Sequence, residues 1–140
     1  MTMSEHNIVI IKKSSHLIET HSIEIARTMY ILLFDLYPEF KLSFNNAPSN
    51  QHKLLSETLS VYAININNIK ILKPALEKIA QTHAKAGVQP EQYKIIEDMM
   101  LLAFKTVLVE KATDELIVAW TEAITYVSYL LIEIQKELSS

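Results

Sequence analysis

One glycine in 140 residues, at position 87, is the feature that most restricts what this chain can fold into. A many-stranded sheet draws on glycine and the other turn-forming residues at nearly every hairpin, and four prolines are all the chain adds to Gly87 as strong breakers. The remainder is rich in Ile, Leu, Ala, Lys and Glu, which favours long helices joined by short connections. An all-α protein is therefore predicted. The length is that of one ordinary domain, so residues 1–140 are expected to form a single unit. Hydrophobic residues at 49% and charged ones at 21% are globular proportions.

Several classes of partner drop out. The formal charge is −3 with an isoelectric point near 5.9, and no stretch gathers Lys or Arg into a basic face for phosphates. Nucleic acid is not expected. The absence of Cys removes disulfides, thiolate catalysis, iron–sulfur clusters and Cys-based zinc sites, and it suits a reducing compartment. Lys12 and Lys13 follow the apolar run Ile8–Ile11, the reverse of a secretory signal. No apolar stretch approaches the roughly 18 residues of a membrane span. A cytoplasmic protein without a membrane partner is expected.

The breakers fall between periodic apolar segments, which sets the helix boundaries. Ser4 is a candidate cap for a first helix ending near Thr20, and a second is expected from Ser22 to Tyr37, with Ile25, Met29, Leu33 and Leu36 inward. Pro38 suits the first turn of a short helix ending near Phe44. Residues 45–50 read as a polar loop in which Ser49 or Asn50 caps the next helix, whose stripe is Leu55, Leu59, Tyr62 and Ile66. Asn65–Asn68 ends that helix. Pro74 opens another, in which Leu72, Leu76, Ile79 and His83 share one face at spacings of 4, 3 and 4, and Gly87 stops it. Pro90 starts a longer helix to about Val109, with Tyr93, Ile96, Met100, Phe104 and Val107 inward. The last helix, capped by Thr113 or Asp114, carries Leu116, Trp120, Ala123, Val127, Leu130, Ile134 and Leu138 on one face.

Of the five histidines, His6, His16 and His21 are spaced 10 and 5 apart, which matches no helical zinc pair. They read as surface residues. His83 differs, because it interrupts an apolar stripe and points a titratable ring into the core. Taken alone, that is the position of a core histidine satisfied by a backbone carbonyl. Its surroundings change the reading.

A short Pro-started helix, an inward His, a Gly stop and an aromatic ten residues on, from His83-Ala84-Lys85-Ala86-Gly87-Val88 to Tyr93, resemble the proximal ligand region of globins. Upstream, Met29-Tyr30 with Leu33-Phe34, Tyr37-Pro38-Glu39 and Ser43-Phe44 is similar to the distal Tyr and haem-stacking Phe of bacterial single-domain haemoglobins and flavohaemoglobin globin domains. Gln51-His52-Lys53 with Leu55 resembles their distal Gln and haem-facing Leu. The similarity runs from about residue 7 to residue 138, and Ala119-Trp120 sets the register of the last helix.

This resemblance implies a globin fold around haem b (iron protoporphyrin IX), with His83 as the iron ligand. Tyr30 and Gln51 become the distal donors, and Phe44, Leu55, Val88, Tyr93, Ile96 and Ile124 line the cofactor. Without a haem, Tyr30 and Phe44 are ordinary core aromatics. A one-residue slip in the loop before Gln51 would instead make His52 the distal group. One imidazole leaves the sixth position of a five-coordinate iron free for dioxygen, nitric oxide or carbon monoxide. A distal donor favours dioxygen, which gathers negative charge, over neutral carbon monoxide.

The pattern departs from the family at one place. The family hydrogen-bonds its proximal His to a Tyr and a Glu. Tyr93 fills the first position, but counting from Trp120 the second falls on Gln135, which accepts a hydrogen bond and carries no charge. Weaker electron donation from His83 is expected, more so because Ile124 stands where a second aromatic would. With no reductase module before Ser140, turnover would need a separate flavin reductase.

The implied functions are gas binding for storage or transport and, given electrons, nitric oxide detoxification by dioxygenation to nitrate. Two alternatives stand beside them, a haem-based gas sensor and a haem-free globin-like bundle. Family members pair through the haem-ligand helix and the last helix, which admits a homodimer, although no self-complementary exposed stripe demands one.

Overall fold

The computed structural model describes residues 3–44 and 51–139. Among them the ordered elements are α-helices and short 3-10 turns, with no strand. The helices are α1 (Glu5–Leu36), α2 (Pro38–Ser43), α3 (Gln51–Ile64), α4 (Lys73–Ala86), α5 (Tyr93–Leu108) and α6 (Asp114–Ser139). The expected loop over 45–50, with its cap at Ser49 or Asn50, lies outside the described residues.

Ser4 does start α1, its hydroxyl accepting from the Asn7 N–H at 3.2 Å. The expected break near Thr20 is absent, and α1 runs unbroken for 32 residues. The sequence pauses there in polar residues but has neither Gly nor Pro. Thr20 satisfies its hydroxyl on the His16 carbonyl at 2.8 Å and Ser22 on the Glu19 carbonyl at 3.1 Å, both inside the helix. The buried row Ile11, Ser14, Ile18, Ser22, Ile25, Met29 and Leu33 passes straight through the pause. Leu36, assigned to that row, is instead exposed, because the helix ends there and Tyr37 leaves the helical region, at φ −134° and ψ 75°, before Pro38.

Gly87 ends α4 at φ +74°, where an L side chain would be strained, and the Val88 N–H closes on the His83 carbonyl at 2.9 Å. Thr113 caps α6, its hydroxyl accepting from the Leu116 N–H at 3.2 Å. The buried row of α6 is Leu116, Ala119, Trp120, Ala123, Ser128 and Leu131; Leu130 and Ile134 are only half-buried and Leu138 is exposed, as the end of the helix outruns its neighbours. By length and composition α6 is apolar enough to cross a membrane, an exception to the sequence reading. Here, Ala119, Trp120 and Ala123 on its inner face are fully buried in the core.

The layout positions the site. α1 packs on α3, α5 and α6, and α4 packs on α6, while α3 and α4 barely touch each other. A slot is left between those two helices. Its walls are α3 and α4, and its floor is made by α5, α6 and one turn of α1.

Candidate functional site

His83 reaches the slot from the last turn of α4, on the face shared with Leu76 and Ile79. It is 7% exposed, and burial, which penalises the imidazolium, lowers its pKa from 6.5 to about 4. At neutral pH the ring is neutral. Its Nδ1 lies 2.9 Å from the Tyr93 hydroxyl, whose own proton goes to Gln135 Oε1 at 2.7 Å. Gln135 Nε2 in turn donates to the Val88 carbonyl at 2.6 Å. Burial pushes the Tyr93 phenol well above its ordinary value, so the hydroxyl stays protonated. No hydrogen bond is made by His83 Nε2 among the described residues.

Opposite stand the polar residues of the other wall. Tyr30, at the inner face of α1, has its phenol pushed up to about 12 by burial, with a hydrogen bond from the Gln51 side chain pulling the other way. Gln51 is buried at the start of α3, and its Oε1 has no hydrogen-bond partner. An orphaned buried amide oxygen costs about 1–3 kcal/mol, a loss usually met at sites built to receive something. Between Tyr30 and His83 lies a cavity with about 750 Å³ of empty space, solvent at its mouth included. Leu55 and Leu59 line it from α3, Ile96 and Met100 from α5, and Ile124 and Leu131 from α6.

Most residues singled out in the sequence meet at this cavity: Tyr30, Gln51, Leu55, His83, Tyr93, Ile96 and Ile124 all line it. His52, the alternative distal residue, does not. Phe44 packs edge-on against the His83 ring, with centroids 5.9 Å apart at 85°, beside the cavity and not on its lining. Val88 is buried and does not line this cavity; its backbone carbonyl accepts from Gln135 Nε2. Gln135 falls where the register put it, with Glu133 and Glu137 exposed on the other side of α6. Sequence reasoning missed Met29, Thr58, Ser128 and Glu97, which also line the cavity. Glu97, on which the sequence offered no reading, accepts from the Thr125 hydroxyl at 3.1 Å and borders the cavity. No helical period separates such a wall position from surface.

The donor set bears on what the slot can take. Among the described residues no cluster of three or more His, Asp or Glu could hold a bare metal ion. A single imidazole lone pair facing an apolar slot instead suits a metal that brings its own ring of donors, as haem iron does. His83, Tyr30 and Gln51 fit that group.

The sequence pattern of the globin family matches residues 27–131. The chain belongs to the globin family. A globin-like protein of Aquifex aeolicus is 35% identical over 99% of this globin and 98% of its own length. The flavohemoprotein of Rhizobium meliloti is 36% identical over 92% of this chain, which spans about a third (33%) of that relative's length. Among solved structures, an engineered carbene transferase made from a candidate nitric oxide dioxygenase of Rhodothermus marinus superposes with a TM-score of 0.93 at 33% identity, over 99% of this chain and 96% of that one. A bacterial globin of Campylobacter jejuni gives 0.85 at 27% identity, over 97% of this chain and 99% of its own.

Proposed function

We propose that this globin holds haem b through His83 and binds dioxygen and other diatomic gases at the opposite face, beneath Tyr30 and Gln51. The observation that carries the reading is the pairing across one slot of an imidazole with a free Nε2 and a phenol–amide pair with an orphaned acceptor. When bound, haem would supply an iron able to take a diatomic gas. Each residue then has a separate task. Tyr93 holds the imidazole plane by its hydroxyl, and Phe44 buttresses the ring edge-on. Tyr30, protonated up to about pH 12, is a donor at every physiological pH. Leu55, Ile96, Met100 and Ile124 keep water from the gas.

The test is an absorption spectrum of the purified chain with added haem, then dithionite and carbon monoxide. Expected is a Soret band that moves on reduction and again with carbon monoxide, and that His83→Ala loses; its absence from the parent chain would overturn the reading. Tyr30→Phe removes a hydrogen bond to a ligand carrying partial charge, worth about 1.5–3 kcal/mol. Oxygen release should accelerate at least tenfold, with carbon monoxide release little changed.

A second reading, nitric oxide dioxygenation with electrons from a separate flavin reductase, is supported by the relatives, which include flavohemoproteins and a candidate nitric oxide dioxygenase. The uncharged Gln135 behind Tyr93 favours binding over fast turnover, because a neutral acceptor lends the imidazole less electron density than a carboxylate. Mixing oxygenated protein with nitric oxide and assaying nitrate separates the two. Slow decay with little nitrate removes the enzyme reading; rapid nitrate formation followed by repeated turnover with an added flavin reductase, which returns the ferric product to the ferrous state, supports it.

A further inference from the structure

We propose that a cleft at the start of α1, between the end of α3 and α6, is an entry subsite for apolar diatomic gas, and that the Tyr62 ring is the partition such a gas passes to reach the slot. Its purpose rests on the gas-binding reading, while the cleft and its partition stand on geometry alone.

Two further hollows each share a residue with the slot. Gln51 borders both the slot and a groove between α3 and α4 whose lining includes Lys53, Glu57, Lys78, Gln81 and Lys85. Charged groups hold water there, and an apolar gas gains nothing by entering among them. Tyr62 borders both the slot and a cleft with about 730 Å³ of empty space, solvent at its mouth included. Met3, Ile8, Ile66, Ile69 and Tyr126 line that cleft, with the Asn67 amide among them. Small apolar solutes leave water for such a surface, as xenon does for a dry apolar cavity. A diatomic gas is thereby gathered one aromatic ring away from the slot.

The ring is buried, at 3% exposure, and lightly tied. Its hydroxyl donates to the Ala123 carbonyl of α6 at 2.9 Å, a neutral hydrogen bond that a swing of the ring gives up and remakes, and the ring stands edge-on to Trp120 with centroids 6.1 Å apart. The outer wall is fastened too. The Ser4 N–H and the Asn7 side-chain amide both donate to Glu122 Oε1, at 2.9 and 3.2 Å, which pins the start of α1 to α6 and keeps the Met3 sulfur 3.9 Å from the Tyr62 hydroxyl.

The subsite is tested with xenon, an apolar probe, on the full chain read by methyl carbon-13 NMR. Xenon should shift the Met3, Ile8, Ile66 and Ile69 methyl signals saturably and leave exposed Ile23 and Val109, which do not line the cleft, unmoved. Ile69→Phe, which fills the cleft, should remove at least half of that shift. The passage is read on the haem-loaded chain as carbon monoxide recombination after a light flash. Tyr62→Val should speed association from solvent at least twofold, and Ile69→Phe should slow it at least twofold. Cleft methyls that xenon leaves unmoved overturn the subsite; rates unchanged in both variants overturn the passage and put entry at the Gln51 groove. Should Tyr62→Val not fold, Tyr62→Phe keeps the ring but frees it from the Ala123 carbonyl, and a rate no faster than the parent's overturns the partition. A chain that takes up no haem defeats the gas-binding reading alone, since xenon finds or misses the cleft without it.

Discussion

His83 is held in the folded chain as a neutral base whose pKa is about 4, against 6.5 when burial is removed by unfolding. Between those values the unfolded chain binds the proton and the folded chain does not, so stability rises with pH through this window. Stability present above pH 6.5 is lost as the pH falls toward 4. For the haem-free chain the loss from pH 7 to pH 4.5 should be roughly 2–3 kcal/mol, read as a drop in the urea midpoint. His83→Gln, neutral throughout, should lose that part of the slope; an unchanged slope would mean the imidazole is not buried as described. This residue was legible in the sequence because it breaks an apolar stripe, and Tyr30, Gln51 and Tyr93 only through the resemblance to bacterial haemoglobins, since no spacing relates residues on separate helices. The part that Val88 plays through its carbonyl was not legible, since no side-chain pattern reports which backbone oxygen will be left to accept. The polarity of the Gln135 amide was hidden for the same reason.

At the scale of elements, boundaries marked by Pro or Gly were legible: α2, α4 and the α5 entry begin at or beside Pro38, Pro74 and Pro90, and α4 stops at Gly87. Where the mark was only polar, at Thr20 to Ser22, the structure runs on, because a hydroxyl that caps a helix can equally bond back inside one. One end has no mark at all. α5 closes on Val109 at φ 48°, ψ −120°, a conformation that the first central position of a type II′ turn takes and that glycine suits far better than a β-branched residue. The Val109 side chain is 60% exposed, so little packing offsets the strain. Val109→Gly should stabilise the chain by about 1 kcal/mol, the net of strain relief and added chain entropy. A lower urea midpoint would show that the Val side chain matters more than its backbone.

Across the whole molecule, the slot stays open only if α1 and α6 are pinned together beneath it, since α3 rests on the first and α4 on the second. Trp120, fully buried, is the pin: its ring meets Phe104 at 5.1 Å and Tyr62 at 6.1 Å, and its indole N–H donates to Ser14 at 3.2 Å, 106 residues away. Ser14 also donates to the Ile11 carbonyl at 2.8 Å, so its hydroxyl is oriented before the indole arrives. Ser14→Ala should cost about 1–3 kcal/mol, because it strands a buried N–H. Trp120→Phe should cost about 2–4 kcal/mol through lost ring volume. With the indole gone the hydroxyl has nothing left to accept from, so Ser14→Ala in the Trp120→Phe background should cost far less than it does alone, a coupling of about 1 kcal/mol by double-mutant cycle. Strict additivity would mean that the two helices are joined by apolar contact alone. The coupling, if present, ties the geometry of the slot to a bond between the two ends of the chain, and Ser14→Ala should then weaken haem retention even though Ser14 does not line the cavity.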